Sequence, residues 1–339
     1  MSAAQNSGSA APDRCSIRVA AVRAGESHER NGGHPWAGAS LPSVKMVGMA
    51  TVAEWIEGAR VRTLPNSVAP VLVGTGAAVA GGGFSWGRAV LALVVSLSLQ
   101  VGVNYANDYS DGVRGTDADR VGPLRLVGSG VATPGSVRGA AFACFGVGAV
   151  AGLVLVALSG YWWLLLLGAV SIAGAWFYTG GDKPYGYSGW GEVAVFLFFG
   201  VFAVLGTEYV QTGRVSWVGV GGAVAMGGFS AAVLVANNLR DVPTDRVAGK
   251  NTLAVRLGEE RTRVLYAALV VLPFLVSVAL VSWTPWALVG VVAVALVVPG
   301  LKLVLGKETG LNLIPVLKQT GLAMLLWAAV TTAVLALAR

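Results

Sequence analysis

The chain has 339 residues, of which 55% are hydrophobic and only 12% charged, whereas a soluble domain carries about a quarter of its residues as Asp, Glu, Lys and Arg. That balance excludes a water-soluble globule, and the net charge of +7 does not point to nucleic acid, because the basic residues are scattered with no continuous run. Cys15 and Cys144 form no CxxC pair, and both histidines, His28 and His34, precede the first apolar stretch. Zinc ligation, a disulfide framework and histidine-based acid–base chemistry are therefore excluded from the body of the chain.

Residues 1–48 are rich in Ser, Ala, Gly and Arg and hold no apolar run long enough for a signal peptide, so they read as a disordered tail. Met46 or Met49 is a candidate start, and 49–339 is then the transmembrane domain. The segment AEWIEGARVRTL before Pro65 reads as an amphipathic interfacial helix, with Trp55 and Ile56 against apolar surface and Arg60 and Arg62 toward headgroups.

From Pro65 onward, apolar stretches of near membrane-spanning length recur, and hydropathy predicts spans at 65–81, 88–108, 138–158, 160–179, 191–211, 216–238, 262–283, 285–305 and 314–338. The expected fold is an all-α polytopic membrane bundle of about nine transmembrane helices. Arg114, Arg120, Arg125 and Arg138 follow the second span and Lys183 the fourth. Arg240, Arg246, Lys250, Arg256, Arg261 and Arg263 follow the sixth, Lys302 and Lys307 flank the end of the eighth, and the other connections hold little beyond Arg88 and Arg214. This asymmetry predicts that the basic connections face the cytoplasm.

Every aspartate beyond the tail falls in or beside one of those basic connections. In NYANDYSDGVRGTDAD, Asn104, Asp108 and Asp111 stand at i, i+4 and i+7 and share one helical face, and Gly112 and Gly115 allow the chain to turn and bring back Asp117 or Asp119. In NNLRDVPTDRVAGKNTLAVRLG, Asn238, Asp241 and Asp245 repeat the pattern at i, i+3 and i+7. Two acidic faces would then meet across a cavity. Carboxylates carried to a helix centre cost roughly 2.5 to 3.5 kcal/mol each in a membrane, so they should be shallow and compensated by cations. Oxygen donors without His or Cys suit Mg²⁺, which keeps several waters and bridges carboxylates to phosphate oxygens. Helix capping and loop solvation are the plainer explanation for any one of these residues.

Around the acids, Arg120, Arg125, Lys183, Arg240, Lys250 and Arg256 offer fixed positive charge of the kind a departing diphosphate needs, although topology alone also places basic residues here. The run WFYTGGDKPYGYSGWGE sets Trp176, Phe177, Tyr178, Tyr185, Tyr187 and Trp190 near the same face. Such rings either form an interfacial belt or hold an aromatic acceptor and shield an allylic cation; Tyr178, beside the glycine turn, is the candidate for the pocket.

With these residues in view, the chain resembles the UbiA superfamily of intramembrane prenyltransferases, and within it the 1,4-dihydroxy-2-naphthoate polyprenyltransferases of menaquinone synthesis. The resemblance rests on four segments in order: WIEGARVRTLPNSVAPVLVGT, NYANDYSDGVRGTD followed by GPLRLV, FYTGGDKPYGYSGWGEVAVFLFFG, and NNLRDVPTDRVAGKNTLAVRLG. It implies a nine-helix bundle around a central cavity in which two Asp-rich motifs hold Mg²⁺ and a polyprenyl diphosphate. On that reading Asp108, Asp111, Asp117, Asp241 and Asp245 are metal ligands. Asn104, Arg120, Arg125, Lys183, Asn238, Arg240 and Lys250 bind diphosphate, and Asp108, Asp111, Asp241, Asp245 and Tyr178 carry the chemistry. Gly115 stands where the general pattern has a further aspartate, and Asp182 and Lys183 interrupt the glycine and tyrosine run typical of the naphthoate enzymes.

The reaction so implied joins a polyprenyl group to 1,4-dihydroxy-2-naphthoate in a bacterial cell membrane, with loss of CO₂. Two competitors share the sequence signal. One is a prenyltransferase for 4-hydroxybenzoate, homogentisate or haem on the same scaffold. The other is a cation- or proton-coupled transporter, which would place its acids near the bilayer midplane.

Overall fold

A computed structural model of the chain describes residues 50–115 and 124–338. The predicted tail at 1–48, and with it Asp117, Asp119 and Arg120, lies outside the described residues. Among these, every regular element is helical.

The interfacial lead-in is helix α1, Val52–Gly58, started by a capping box in which Thr51 and Glu54 satisfy each other's backbone N–H groups. Helix α2, Pro65–Ala80, has Pro at its first turn, where no backbone donor is lost. The chain bends by 49° between Val52–Thr63 and Pro65–Ala80, and within the first of these arms Arg60, with a φ of 54°, is a side chain-bearing residue in the left-handed region. The remaining helices are α3 (Trp86–Arg114), α4 (Pro134–Ser159), α5 (Leu164–Phe177), α6 (Gly191–Thr212), α7 (Trp217–Val247), α8 (Leu253–Leu257), α9 (Glu259–Ser282), α10 (Pro285–Leu305) and α11 (Gly310–Leu337).

All nine predicted apolar segments fold as helix, but fewer than nine of them have the length of a full span. Seven described helices are long and apolar enough to cross a membrane, and the bent pair of α1 and α2 makes an eighth. Helix α5 has 14 residues, a length of about 21 Å at 1.5 Å per residue, shorter than the roughly 30 Å hydrocarbon core.

Helix α7 is the axis of the bundle: 72% of its apolar window is buried, against 28 to 44% for the other long helices. Its glycines permit this. A Cβ added at Gly200 of α6 would stand 2.6 Å from the Ala223 carbonyl and 2.7 Å from the Gly227 Cα, so α6 and α7 cross backbone to backbone, the close approach that small residues allow in membranes. The middle of α6, Phe196–Leu205, is wound as π-helix, a local widening that often accompanies functional sites.

The connections separate by end. At one end Arg114 donates to the Thr179 and Gly181 carbonyls, the Asn251 N–H donates to the Tyr187 carbonyl at 2.9 Å, and Arg263 donates to the Val304 carbonyl at 2.6 Å. The segments after α3, α5, α7 and α10 are thereby joined. At the other end Arg88 donates to the Leu158 and Val210 carbonyls at 2.7 and 2.9 Å, and Arg214 to that of Gly81. The basic connections named from the sequence thus gather on one face of the bundle.

Candidate active site at the basic end of the bundle

The last turns of α3 and α7 both line a polar cavity of about 840 Å³. On α3, Asn104, Asn107 and Asp111 line it. Asp111 is 4% exposed and is met by the Arg125 guanidinium at 3.7 Å, the Lys250 ammonium at 3.4 Å and the Tyr187 hydroxyl. A carboxylate so buried is tolerated only with its charge compensated, and here the compensation arrives on three separate connecting segments. Lys250 also lies 4.6 Å from the centre of the Tyr187 ring, within cation–π range.

Asp108, expected among the metal ligands, does not line the cavity. It is wholly buried and accepts the backbone N–H groups of Leu126 at 2.8 Å and Val127 at 3.0 Å. The returning loop is packed so closely that a Cβ at Gly112 would stand 2.4 Å from Val127. Asp108 thereby fastens the segment that carries Arg125 toward Asp111. Asn104 also acts as a fastener. Its amide donates to the Ala59 carbonyl at 2.8 Å and the Thr63 hydroxyl at 2.9 Å, tying the bend before α2 onto α3.

On α7, Asn237, Asn238, Asp241 and Asp245 line the opposite wall. Asp241 takes both oxygens' worth of hydrogen bonds from Arg240, at 2.7 Å each, and Arg240 also donates to Asn237 at 2.9 Å. Arg240 is itself not a lining residue, being spent on this pairing. Asn238 donates to Glu192 at 2.9 Å. Lys183 is exposed and lies outside the cavity wall.

The structure therefore brings together Asn104, Asp111, Arg125, Tyr178, Asn238, Asp241, Asp245 and Lys250. It adds residues that the sequence reading did not single out for the site. Asn107 accepts the Thr179 hydroxyl at 2.7 Å and stands four residues before Asp111, as Asn237 stands four before Asp241. That shared Asn-x₃-Asp spacing was available in the sequence and describes the two walls better than the i, i+7 pattern. Arg60, expected at the headgroups, lines the cavity instead, as do Arg114 and Tyr187.

A second cavity of about 420 Å³ lies among α2, α3, α4, α5 and α6 and is lined almost entirely by apolar side chains, including Leu99, Leu153, Ile172, Phe198 and Phe202. Gln100, Val103, Tyr178 and Phe199 line both spaces and form the boundary between them, termed the neck below. Burial pushes the Tyr185 phenol, in the connection after α5, up to about 12, so its ring is a neutral hydrogen-bonding group at ordinary pH. Trp176, Phe177 and Trp190 of the same run serve elsewhere. Trp176 stacks on Phe142 at 4.8 Å, while Phe177 and Trp190 are exposed, as belt residues are.

The donor set at the two walls is carboxylate and amide oxygen. Among the described residues no three His, Cys, Asp or Glu side chains close around a single point, so neither wall forms a complete protein cage. An open, all-oxygen set of this kind fits Mg²⁺, which is held by one or two carboxylates and completes its shell with water and phosphate oxygens.

Residues 67–312 match the UbiA prenyltransferase family. The chain is 57% identical over 288 residues to the 1,4-dihydroxy-2-naphthoate octaprenyltransferase of Mycobacterium tuberculosis, covering 85% of this chain and 98% of that protein. It is 42% identical over 221 residues to the protein of the same name in Escherichia coli, covering 63% and 72%. Among solved structures, a UbiA homolog from Archaeoglobus fulgidus bound to GPP and Mg²⁺ superposes with a TM-score of 0.61 at 15% identity, over 83% of this chain and 99% of that one, a likeness of fold. The chain is an integral membrane protein and belongs to the UbiA prenyltransferase family.

Proposed function

We propose that this chain transfers a polyprenyl group from an allylic diphosphate to 1,4-dihydroxy-2-naphthoate with decarboxylation, yielding demethylmenaquinol, at the cytoplasmic face of a bacterial plasma membrane. The observation that carries the reading is the pair of Asn-x₃-Asp helix ends facing one polar cavity, which shares the four residues of the neck with an apolar chamber. The first space suits a diphosphate with its counter-ions and the second a hydrocarbon tail. The acceptor is taken from the relatives named above, one of which matches along nearly its whole length.

Asp111, Asp241 and Asp245, with Asn107 and Asn237, would hold Mg²⁺, and Asp117, which lies outside the described residues, keeps its proposed role as a further ligand. When bound there, the ion would supply positive charge to offset that of the diphosphate. Arg125 and Lys250 add fixed positive charge where the leaving group gathers its own. The allylic C–O bond breaks with its electron pair going to diphosphate, and the ring carbon bearing the carboxylate forms the new C–C bond. Loss of CO₂ then returns the pair of the C–carboxylate bond to the ring and restores aromaticity. Tyr178 and Phe199 shield the allylic cation in the neck, and the apolar chamber keeps out water that would otherwise capture it.

The test uses the full chain in bacterial membranes with Mg²⁺, a long-chain allylic diphosphate and naphthoate labelled at the carboxylate, beside Asp241→Asn. Labelled CO₂ and prenylated naphthoquinol, both lost in the variant, are expected. Prenylation of hydroxybenzoate in place of naphthoate would retain the chemistry and refute the acceptor.

A further inference from the structure

Gln100 sits at the neck, bordering both the polar and the apolar space, and is 5% exposed. Its amide orientation is dictated by neighbours whose polarity is unambiguous. The Ala59 carbonyl can only accept, and the Thr63 hydroxyl already donates to the Arg60 carbonyl at 2.8 Å, so both require Asn104 to present its NH₂. The Asn104 carbonyl oxygen is thereby turned toward Gln100, whose own NH₂ donates to it at 3.2 Å. One group is left over: the Gln100 Oε1, buried without a hydrogen-bond partner. A buried carbonyl oxygen lacking a donor costs free energy until one arrives.

We propose that Gln100 is an acceptor-binding residue that takes a hydrogen bond from a ring hydroxyl of the aromatic substrate, and that it sets the enzyme's preference for a ring with a free hydroxyl. The neck is the right place, since Tyr178 and Phe199 line it with Gln100 and offer aromatic walls to a planar ring. The polarity is also right, because the relay from Ala59 leaves an acceptor there and so asks the ligand for a donor. On the naphthoate reading, on which this inference rests, the donor is identified by its chemistry. The 1-hydroxyl is engaged by the adjacent carboxylate as in any ortho-hydroxy acid, so the 4-hydroxyl is the free one.

The test measures the full chain in membranes, with KM for the dihydroxynaphthoate and for the allylic diphosphate, and the inhibition constant of 1-hydroxy-2-naphthoate, which lacks the 4-hydroxyl. In the wild type the 4-hydroxyl should be worth about 10-fold in binding, the usual scale for a buried acceptor left unpaired. Gln100→Leu should raise KM for the dihydroxy ring by about the same factor while moving the inhibition constant and the diphosphate KM by less than about 2-fold. Equal weakening of both rings by Gln100→Leu would show a packing defect and overturn the proposal. If the variant does not fold, the wild type decides alone: equal binding of the two rings overturns it. Absence of naphthoate turnover beside turnover of another hydroxylated ring would sink the acceptor assignment. Gln100 then falls with it only if Gln100→Leu leaves that ring's KM unmoved.

Discussion

The two acidic helix ends look alike in sequence and are built differently. Asp241 is held by Arg240 and Asn237, within one turn of its own helix. Asp111 is held by Arg125, Lys250 and Tyr187, each from a different connecting segment. The contacts described at Asp241 are thus local to α7, whereas those described at Asp111 reach across three loops. The lesson is that equivalent carboxylates can be equally needed for chemistry while differing in how far their loss spreads through the fold.

The largest expected effects lie at the two aspartates themselves. Asp111→Asn and Asp241→Asn should each lower kcat/KM by about 100-fold or more, the scale seen when a preorganised electrostatic group is removed. They should part company in limited proteolysis. Trypsin cleavage after Arg125 and Lys250 should accelerate in Asp111→Asn and stay at the wild-type rate in Asp241→Asn; equal acceleration in both would break the comparison.

A smaller effect is expected at Asp108, which secures the loop without lining the cavity. Asp108→Asn replaces one of two acceptors with a donor facing a backbone N–H, and should cost about 1 to 3 kcal/mol of stability. Thermal melting followed by tryptophan fluorescence would measure it, with diphosphate KM rising as Arg125 loses its seat. A large loss of kcat with unchanged melting would instead place Asp108 with the ligands. Tyr187→Phe sharpens the contrast further: it removes one of three supports from Asp111 and should lower kcat/KM by about 10-fold, the lower end of the worth of a single hydrogen bond to a charged group.

The smallest effect concerns pH. Tyr185 donates to the Gly174 carbonyl at 2.6 Å and its ionisation is raised from 10.0 to about 12. Because the unfolded chain loses this proton first, stability is fully present below pH 10 and falls as pH rises from there through about 12. The alkaline decline of melting temperature should be shallower in Tyr185→Phe, and an identical decline would assign it to other groups.

Much of this site is legible in the amino-acid sequence. Helical spacing alone puts Asp111, Asp241 and Asp245 at span ends, and the basic residues mark which ends share a face. The register within each cluster is less so. Asn104 lies seven residues before Asp111 and Asn107 four, and on a helix of 3.6 residues per turn both fall on the same side, so periodicity cannot choose the one nearer the substrate. The role of Asp108 is hidden because its partners are backbone amides of a loop that folds back, and no side-chain pattern announces a backbone donor. The neck is hidden for a related reason: the π-helical stretch of α6 and the space beside α5 arise from packing among five helices, and apolar residues read the same whether they face lipid or a chamber.

Helix α5 carries a consequence for the bilayer itself. Trp162 and Trp163 at its start and Phe177 at its end are all more than half exposed, and indole rings settle at the headgroup level. These markers are separated by only the 14 residues of the helix, about 21 Å. A bilayer with a core of about 30 Å accommodates so short a helix by thinning locally or by snorkelling of the residues that flank it. The apolar chamber is lined in part by this helix, so any thinning of the bilayer against α5 would fall beside the chamber and not beside the polar cavity.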